Sequence, residues 1–355
     1  MHRESYRSHL ESLGARWAVD GEERWVESFG DVADEYGAVA ESGLGLIDRS
    51  ERETLVITGD DAIPWLQGLV TSDLFELAEE GSGQIGCAVN QNGRLIADVR
   101  FLHVPELLLI DLERGRREAL LSHLRRHIIM EKVKVTDRTE QTGRIGVYGA
   151  RAASLLEGVA DLAHPLSERG DYQGSWGSVG EEDVIVQRLP WLGYEGFEIY
   201  CGADGALNVW RALEEADPEA RPLGNEAFEM LRIEAGMPRF GVELGEKVIP
   251  LEANLNEAIS FEKGCYLGQE IIARLDTLGT PARLLRRLLI EADEVPAPGT
   301  KLLAEGKSVG EIIRAIRSPK YGQPMALGYV KRKHNDVGTV LDLEGGGSVS
   351  LESLS

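Results

Sequence analysis

An amine, a thiol, a phenol, an amide and a carboxylate occur within eight consecutive residues of this sequence. The run reads Lys263-Gly264-Cys265-Tyr266-Leu267-Gly268-Gln269-Glu270. Its two glycines predict a turn in which the backbone comes close to another part of the chain. Apolar residues recur at helical spacing directly after the run, which indicates a loop followed by a helix that begins near Gly268.

Cys265 is the residue of this run whose reactivity depends most on its surroundings. A thiol just ahead of a helix N-terminus lies in partial positive charge, which lowers its pKa and favours the nucleophilic thiolate. Lys263, two residues away, acts in the same direction, and Gln269 and Glu270 are placed to orient the sulfur or a ligand. The alternative is a small buried hydrophobe in a tight turn, which is a common role of free cysteine.

The run resembles the K-G-C-Y-x-G-Q-E signature of the YgfZ family, whose members are folate-binding relatives of the glycine cleavage T-protein (aminomethyltransferase). Every fixed position of the signature is present. The resemblance implies that Cys265 is the reactive thiol and that Tyr266 belongs to the folate-binding residues. It extends in family order from about Val39 to the C-terminus.

Two strand-like stretches, 84–89 and 94–104, flank Asn90-Gln91-Asn92-Gly93, and Asn-Gly is a strong hairpin signal. The T-protein pattern that this hairpin resembles ends in two aspartates, of which the first is tied to catalysis. Alignment on Asn90 and Gly93 places Ala97 at the first aspartate and Asp98 at the second. Because side chains alternate along a strand, the two are expected on opposite faces, with Asp98 either a functional carboxylate or a solvated strand residue.

The segment from Arg188 to Ile199 resembles the T-protein run R-T-G-Y-T-G-E-D-G-F-E-I, in which a glutamate contacts the pterin ring of folate. Tyr194 stands at that glutamate, and Glu195 follows it. A pterin presents a flat donor edge that a carboxylate answers with two parallel hydrogen bonds, so Glu195 is the candidate. Trp191 or Tyr194 is able to stack on the ring, and core packing is the alternative for Trp191.

Arg232 lies in a predicted helix, 225–235, within a segment that resembles the family pattern R-x-E-x-G-x-P. It is interpreted either as a partner of the anionic folate tail or as part of an intramolecular salt bridge. The basic cluster Lys331-Arg332-Lys333-His334 is likewise either a solvated turn or a surface that steers a polyanionic tail.

Other patterns do not support sites. The glycines of the G-x-G-x-x-G match at 81–86 precede a predicted strand rather than a helix, which argues against a dinucleotide site. His123 and His127 lie four residues apart on the predicted helix 116–129, but two arginines stand between them and no third ligand is near. The three cysteines form no C-x-x-C pair. We therefore expect no metal site and no disulfide scaffold.

The chain of 355 residues has a formal net charge of −22 and a sequence pI near 4.8. Such acidity argues against direct nucleic-acid binding, which needs clustered basic residues. It suits a salty cytoplasm, or it is an ordinary acidic surface. The first ten residues have no signal-peptide core, and no apolar run reaches membrane-spanning length. These features predict a cytoplasmic protein with no membrane association.

Two domains are predicted, an α+β module over 1–280 and a β domain over 281–355. Short apolar segments separated by turns follow Pro281, which is typical of a small β-barrel. In the remainder, strand-like and helical stretches mix, and 37–48 is interpreted as a turn into a short strand. The family resemblance implies two interleaved α+β domains of the T-protein type plus a C-terminal barrel, arranged around a central folate cavity.

The residues and the family resemblance together leave three functions open. The first is a YgfZ-type protein that binds tetrahydrofolate, or a one-carbon derivative, and supports iron–sulfur cluster assembly or repair, with indirect effects on tRNA modification. Its partners are iron–sulfur client or assembly proteins; one cysteine cannot hold a stable cluster, so transient donation or redox exchange is expected. The second is a true aminomethyltransferase, against which Ala97 and the cysteine signature count. The third is a folate-binding scaffold without turnover.

Overall fold

The computed structural model describes residues 2–21, 23–41, 43–277, 279 and 281–354. The chain divides into two compact units. The first unit comprises the residues up to 67, 74–85 and 99–229, and the second comprises 68–73, 86–98 and the residues from 230 onward. Two short segments, 68–73 and 86–98, therefore belong with the C-terminal part of the chain although the sequence places them far from it.

In the described part of the chain the helices are α1 (His2–Ser12), α2 (Val32–Ala40), α3 (Ala62–Gln67), α4 (Arg117–Arg125), α5 (Ala152–Val159), α6 (Ala206–Ala216), α7 (Asn225–Glu234) and α8 (Gln269–Thr277). The strands are β1 (Arg16–Asp20), β2 (Glu23–Ser28), β3 (Gly45–Asp48), β4 (Glu53–Thr58), β5 (Gly83–Val89), β6 (Leu95–Val104), β7 (Leu107–Leu112), β8 (Lys134–Asp137), β9 (Thr142–Tyr148), β10 (Ala160–Leu162), β11 (Gly174–Val179), β12 (Glu182–Arg188), β13 (Gly196–Gly202), β14 (Arg221–Pro222), β15 (Arg283–Glu291), β16 (Lys301–Ala304), β17 (Lys307–Arg317), β18 (Pro324–Lys331), β19 (Val340–Leu343) and β20 (Ser348–Glu352).

The first unit contains a seven-stranded sheet in the order β10-β11-β12-β13-β9-β3-β14 and most of a five-stranded sheet in the order β5-β6-β7-β4-β8. The paired strands of these sheets run antiparallel, apart from the short β14, which is parallel to β3. A separate hairpin, β1 and β2, lies near the N-terminus. Strands β5 and β6 continue from the first unit into the second, where the turn between them lies.

Side-chain alternation gives the two faces of the seven-stranded sheet different characters. Ile145 and Val147 of β9, with Phe197 and Ile199 of β13, belong to an apolar core that also contains side chains of α1, α5 and α6. The alternate positions include the polar and aromatic side chains of Arg144, Tyr148, Glu198 and Tyr200, which are buried as well. One face of this sheet is thus an ordinary hydrophobic core, while the other is a buried polar layer.

Arg144 is the centre of that polar layer. Its guanidinium donates to Asp111 of β7 and to Glu198 of β13, so it joins the two sheets of the first unit. Asp111 also receives a bidentate pair from Arg52 at 2.9 Å and 2.9 Å. Although burial alone raises the pKa of Asp111, Arg144 and Arg52 outweigh it and lower that pKa. Tyr148 donates to the other oxygen of Glu198 at 2.8 Å.

The C-terminal part of the second unit is a closed barrel of six strands in the order β15-β18-β17-β16-β19-β20. Its interior is apolar, with side chains such as Leu288, Ile312 and Val349 fully buried. The predicted small β-barrel is confirmed, and so is the α+β class of the remaining chain. The predicted domain boundary at residue 280 stays a prediction.

The interpretation of 37–48 as a turn into a strand is partly wrong. Gly37 lies inside α2, which begins after Asp31, whose carboxylate caps the helix by accepting from the amide of Ala33. Only Gly45–Asp48 forms the expected strand. The predicted helix 116–129 is also shorter than expected and ends at Arg125. No helix in the described ranges is long and apolar enough to cross a bilayer.

We predict that Arg144→Met lowers the free energy of unfolding by about 3–5 kcal/mol, because it leaves the buried carboxylates of Asp111 and Glu198 without their shared cation. Urea unfolding followed by circular dichroism measures the change. Arg126→Met removes an exposed guanidinium that donates only within its own helical turn, to Ser122, and is the matched control with an expected change within about 0.5 kcal/mol. Equal losses in the two variants would contradict the role assigned to Arg144.

Candidate functional site

The signature run 263–270 lies in the second unit, where a buried ammonium fixes its first residue. Lys263 is 8% exposed, and its Nζ donates to the backbone carbonyls of Val70 at 2.9 Å and Ser72 at 2.6 Å. Hydrogen bonds from a charged donor are stronger than those from a neutral one, and they are stronger still away from water. Lys263 therefore anchors the run to the segment 68–73.

Backbone contacts extend this attachment on both sides. The amide of Leu267 donates to the carbonyl of Gly68 at 3.1 Å, and the amide of Ser260 donates to that of Thr71 at 2.9 Å. The hydroxyl of Thr71 in turn donates to the carbonyl of Ala258 at 2.5 Å. The loop around the thiol is thus held along its length, which reduces the conformational freedom of its backbone.

Gly268 allows the run to turn into α8. Its φ is +81°, and a Cβ at this position would lie 2.5 Å from the carbonyl oxygen of Asn90 in the β5–β6 turn. Only glycine combines that left-handed backbone with so close an approach. The predicted loop followed by a helix near Gly268 is confirmed, since α8 begins at the next residue.

Cys265 is exposed, whereas Cys87 and Cys201 are buried. The interpretation of Cys265 as a small buried hydrophobe is therefore wrong. Its neighbour Tyr266 is 8% exposed, and burial raises the pKa of the Tyr266 phenol to about 12. The ring centroid of Tyr266 lies 5.3 Å from the ammonium of Lys263. A thiol in water on a fixed loop is available to an external partner.

Gln269 and Glu270 have different surroundings. The side-chain oxygen of Gln269 accepts from the amide of Tyr266 at 3.3 Å, so this amide group orders the turn that carries the thiol. Glu270 is exposed in the first turn of α8. Gln269 therefore acts as a positioning residue, and Glu270 faces solvent next to the loop.

The hairpin carries a small apolar side chain where the T-protein pattern has its first aspartate. Ala97 is 0% exposed, and Asp98 is 2% exposed. The interpretation of Asp98 as a solvated strand residue is wrong, because both faces of β6 are covered at this point. A carboxylate is present in this strand, but one residue later than the pattern places it.

Arg232 lies in α7 with 0% of its surface exposed. Its guanidinium makes a bidentate pair with Glu243 at 3.0 Å and 3.2 Å and donates to the carbonyl of Met237 at 2.5 Å. Of the two alternatives left open by the sequence, the structure has the intramolecular salt bridge. The assignment of Arg232 to an anionic folate tail is not supported, since its donors face protein acceptors.

The second candidate group lies in the first unit, after β12. Glu195 is 26% exposed at its side chain and forms an ion pair with Arg188 at 3.3 Å, while Tyr194 is half-buried. Trp191 is 2% exposed, and the guanidinium carbons of Arg100 and Arg52 lie 3.8 Å and 4.8 Å from its ring centroid. Trp191 is a core residue that two cations cover, so its predicted stacking role is not supported.

The described residues contain no group of three or more histidine, cysteine, aspartate or glutamate side chains that could hold a metal ion. His123 is 7% exposed, and burial lowers its pKa to about 4, which keeps its ring neutral near pH 7.

Thr71 and the carbonyls of segment 68–73 were missed by sequence reasoning. Most of these contacts use backbone oxygens, which every residue type supplies, whereas Thr71 also uses its side-chain hydroxyl.

Two family models match the chain. Residues 6–263 match the GCVT N-terminal domain, and residues 283–352 match the glycine cleavage T-protein C-terminal barrel domain. The chain belongs to the glycine cleavage T-protein family. The T-protein models stop at Lys263 and resume at Arg283, so most of the signature run lies outside both of them.

Relatives of this T-protein family member are named aminomethyltransferase. The protein from Rubrobacter xylanophilus is 32% identical over 328 residues, which cover 92% of this chain and 86% of that protein. The one from Bacillus subtilis is 26% identical over 328 residues, covering 89% and 87% of the two chains. The crystal structure of glycine cleavage system aminomethyltransferase T from Bartonella henselae superposes with a TM-score of 0.87 at 21% identity, covering 98% of this chain and 95% of that one, and thus has the same fold.

We predict that Lys263 makes stability depend on pH. Burial lowers its pKa to about 8 from the ordinary 10.5. Between these values the unfolded lysine keeps a proton that the folded one has lost, so the free energy of unfolding rises with pH. The stability difference between wild type and Lys263→Met should therefore grow from pH 8 to 10.5 in urea titrations.

The exposed Lys333 provides the control for loss of a cation, as Lys333→Met. A wild-type advantage over Lys263→Met that stays constant across this pH interval would contradict the prediction.

We also predict that Gly268→Ala destabilises the protein by about 2 kcal/mol or more, because alanine is strained at positive φ and its Cβ would collide with the carbonyl of Asn90. Gly264→Ala is the matched control in the same run, since an added Cβ meets nothing within 4 Å. Thermal and urea unfolding give both values. Tolerance of alanine at 268 equal to that at 264 would show that the turn does not need its close approach.

Proposed function

We propose that this T-protein family member binds tetrahydrofolate or a one-carbon derivative and supports the assembly or repair of iron–sulfur enzymes, as the YgfZ-like signature implies. The observation that carries the proposal is the exposed thiol of Cys265 on a loop anchored by the buried ammonium of Lys263. Effects on tRNA modification would be indirect, through client enzymes that carry clusters.

The residues of the first unit fit the donor edge of a pterin. Glu195 keeps part of its carboxylate exposed beside Arg188, and a carboxylate accepts two parallel hydrogen bonds from an aminopyrimidinone edge. Tyr194, half-buried beside it, offers an aromatic face. When bound, the folate would supply a carrier for a one-carbon unit; the part of Glu195 is to orient the ring.

The chemistry of this chain is assigned to sulfur rather than to a carboxylate. Aminomethyl transfer to folate needs a carboxylate that manages a proton and a cationic intermediate. Ala97 occupies the expected position and is fully buried, so it supplies neither function there. Cys265 instead offers an accessible sulfur, and cysteine sulfur is a ligand that soft metals prefer.

An iron–sulfur cluster is treated as cargo of this protein. A stable cluster normally takes four thiolates, and the other two cysteines are buried. Burial raises the pKa of Cys201 to about 12, which disfavours the thiolate that a cluster needs. Cys265 would therefore serve as a single, transient ligand or exchange thiol for a client or assembly protein, which is the partner class we propose.

Aminomethyl transfer of the glycine cleavage type is the second candidate function. The names of the relatives favour it, and Asp98 supplies a buried carboxylate one residue from the expected position. The two candidates differ in what they require, since aminomethyl transfer needs a lipoyl carrier protein and does not need Cys265. A folate-binding scaffold without turnover is the outcome if both activities are missing.

We predict that calorimetric titration detects tetrahydrofolate binding to the wild type, and that Glu195→Gln weakens it at least tenfold, which corresponds to about 1.4 kcal/mol. Asp171→Asn is the matched control, because Asp171 also pairs with Arg188, at 3.6 Å, but is not assigned to the pterin. Its affinity should stay within about twofold of the wild type. Equal affinities of all three proteins would remove Glu195 from the site, and a wild type without binding would end the folate proposal.

The choice between the two functions is tested by an aminomethyl-transfer assay with aminomethylated lipoyl carrier protein and tetrahydrofolate. We expect no turnover by the wild type, because Ala97 supplies no carboxylate. A true glycine cleavage T-protein run in parallel shows that the assay works. Turnover by the wild type that Asp98→Asn abolishes would establish the second candidate and contradict the first.

A further inference from the structure

The loop after α4 displays two apolar side chains to solvent. Ile129 is 81% exposed and Met130 is 90% exposed, more than any other large hydrophobic residue in the described part of the chain. The two are consecutive, so they form one apolar tip. Contiguous exposed apolar surface marks contact sites more often than isolated exposed residues do.

The backbone of this tip is fixed. The amides of Ile129 and Met130 donate to one carboxylate oxygen of Glu131, at 2.7 Å and 3.0 Å. The amide of Lys132 donates to Asp61 at 2.8 Å, and the indole of Trp65 donates to the carbonyl of His127 at 2.8 Å. The apolar side chains are therefore held outward by a structured turn, which lowers the entropic cost of binding.

Basic residues surround the tip. Arg125, Arg126, Lys132 and Lys134 are exposed within ten residues of sequence. Lys132 lies 3.7 Å from Asp60, and the acidic Glu131 lies in the same turn, so the excess positive charge of this patch comes from Arg125 and Arg126. The sign of this patch is opposite to the chain's net charge of −22. Its partner must combine an apolar receptacle with negative charge.

A groove with these properties exists on the same unit of this chain. Its volume is about 520 Å³, and it runs beside α2. Its lining is apolar at Leu13, Phe29, Ala33, Ala38 and Pro222. The exposed carboxylates of Asp31, Asp34 and Glu41 stand on its rim, with Arg221 as the one basic lining residue.

Glu35, the fourth acidic residue of the groove lining, is used internally. Glu35 accepts from the amides of Phe29 at 2.6 Å, Gly30 at 2.9 Å and Gly224 at 2.7 Å, and it shapes the groove wall rather than its charge. The rim carboxylates therefore set the negative character of the opening. The charge of the rim is negative, opposite to the charge of the basic residues around the apolar tip. The lining of the groove is partly apolar, as the tip is.

We propose that this chain self-associates, with the Ile129–Met130 tip of one copy inserted in the α2 groove of a second. The groove is large enough for two aliphatic side chains, and its rim carries negative charge, opposite to that of Arg125 and Arg126. Reciprocal insertion of both tips closes a symmetric dimer. Because the contact is small, association is weak and depends on concentration.

Sedimentation velocity of the full chain, from micromolar concentrations to about 1 mM, tests the proposal. The wild type should shift from monomer to dimer as its concentration rises. Met130→Glu, which places a charge in the apolar contact, should weaken dimerisation at least tenfold. A wild type that stays monomeric throughout, or a Met130→Glu variant that associates as the wild type does, would overturn the proposal.

Charge reversal identifies the receptor. Arg125→Glu/Arg126→Glu and Asp34→Arg/Glu41→Arg should each be monomeric alone, because tip and groove then carry the same sign. A mixture of the two variants should dimerise again, since each tip then meets a groove of opposite charge. Arg332→Glu/Lys333→Glu changes the net charge equally, lies outside the contact, and should dimerise as the wild type does.

Loss of dimer in both variants without recovery in the mixture would remove the α2 groove as the receptor. A membrane is the competing occupant of a basic, apolar tip. Pelleting of the wild type and of Met130→Glu with vesicles of anionic phospholipid shows whether the tip binds a membrane. Binding that depends on Met130 in a protein that stays monomeric would replace the second copy by a lipid surface and overturn the proposal.

Discussion

The ammonium of Lys263, bonded to two backbone carbonyls of a distant segment, is the contact on which the arrangement of the second unit's reactive loop depends. The segment 68–73 belongs to the second unit although it lies far from the rest of that unit in sequence. Lys263 attaches the reactive loop to this segment. A buried cation costs desolvation, and the carbonyls of Val70 and Ser72 replace part of the water that the ammonium of Lys263 loses. Cys265 lies two residues after Lys263. Its thiol is therefore exposed to solvent while the backbone of its loop is held in place.

Buried arginines play a comparable part elsewhere in the molecule. Arg144 joins the two sheets of the first unit through Asp111 and Glu198, and Arg232 closes a turn of the second unit through Glu243. Each guanidinium pairs with buried carboxylates, and a buried charge without a partner is costly. This use of Arg232 explains why a residue in a family-like segment is unavailable to a ligand: its guanidinium is already part of the fold.

Much of the fold could be predicted because local patterns agree with it. The barrel strands follow from short alternating segments between glycine and proline turns, and α8 follows from the apolar period after Gly268. The prediction of a turn at Gly37 was wrong, because glycine has a low helix propensity and the sequence alone does not show that tertiary packing places it inside α2. In the site, exposure of Cys265 and burial of Asp98 depended on which faces the rest of the chain covers. The partners of Lys263 are backbone oxygens, which no residue type marks.

We propose that this protein acts through the thiol of Cys265. This proposal is tested by the activity of iron–sulfur enzymes in cells whose only copy of this protein carries Cys265→Ser, compared with wild-type cells at equal protein level and equal tetrahydrofolate affinity. We predict that these activities fall to the level of cells lacking the protein. Unchanged activities in the Cys265→Ser cells, with a clear loss in the deletion, would contradict it.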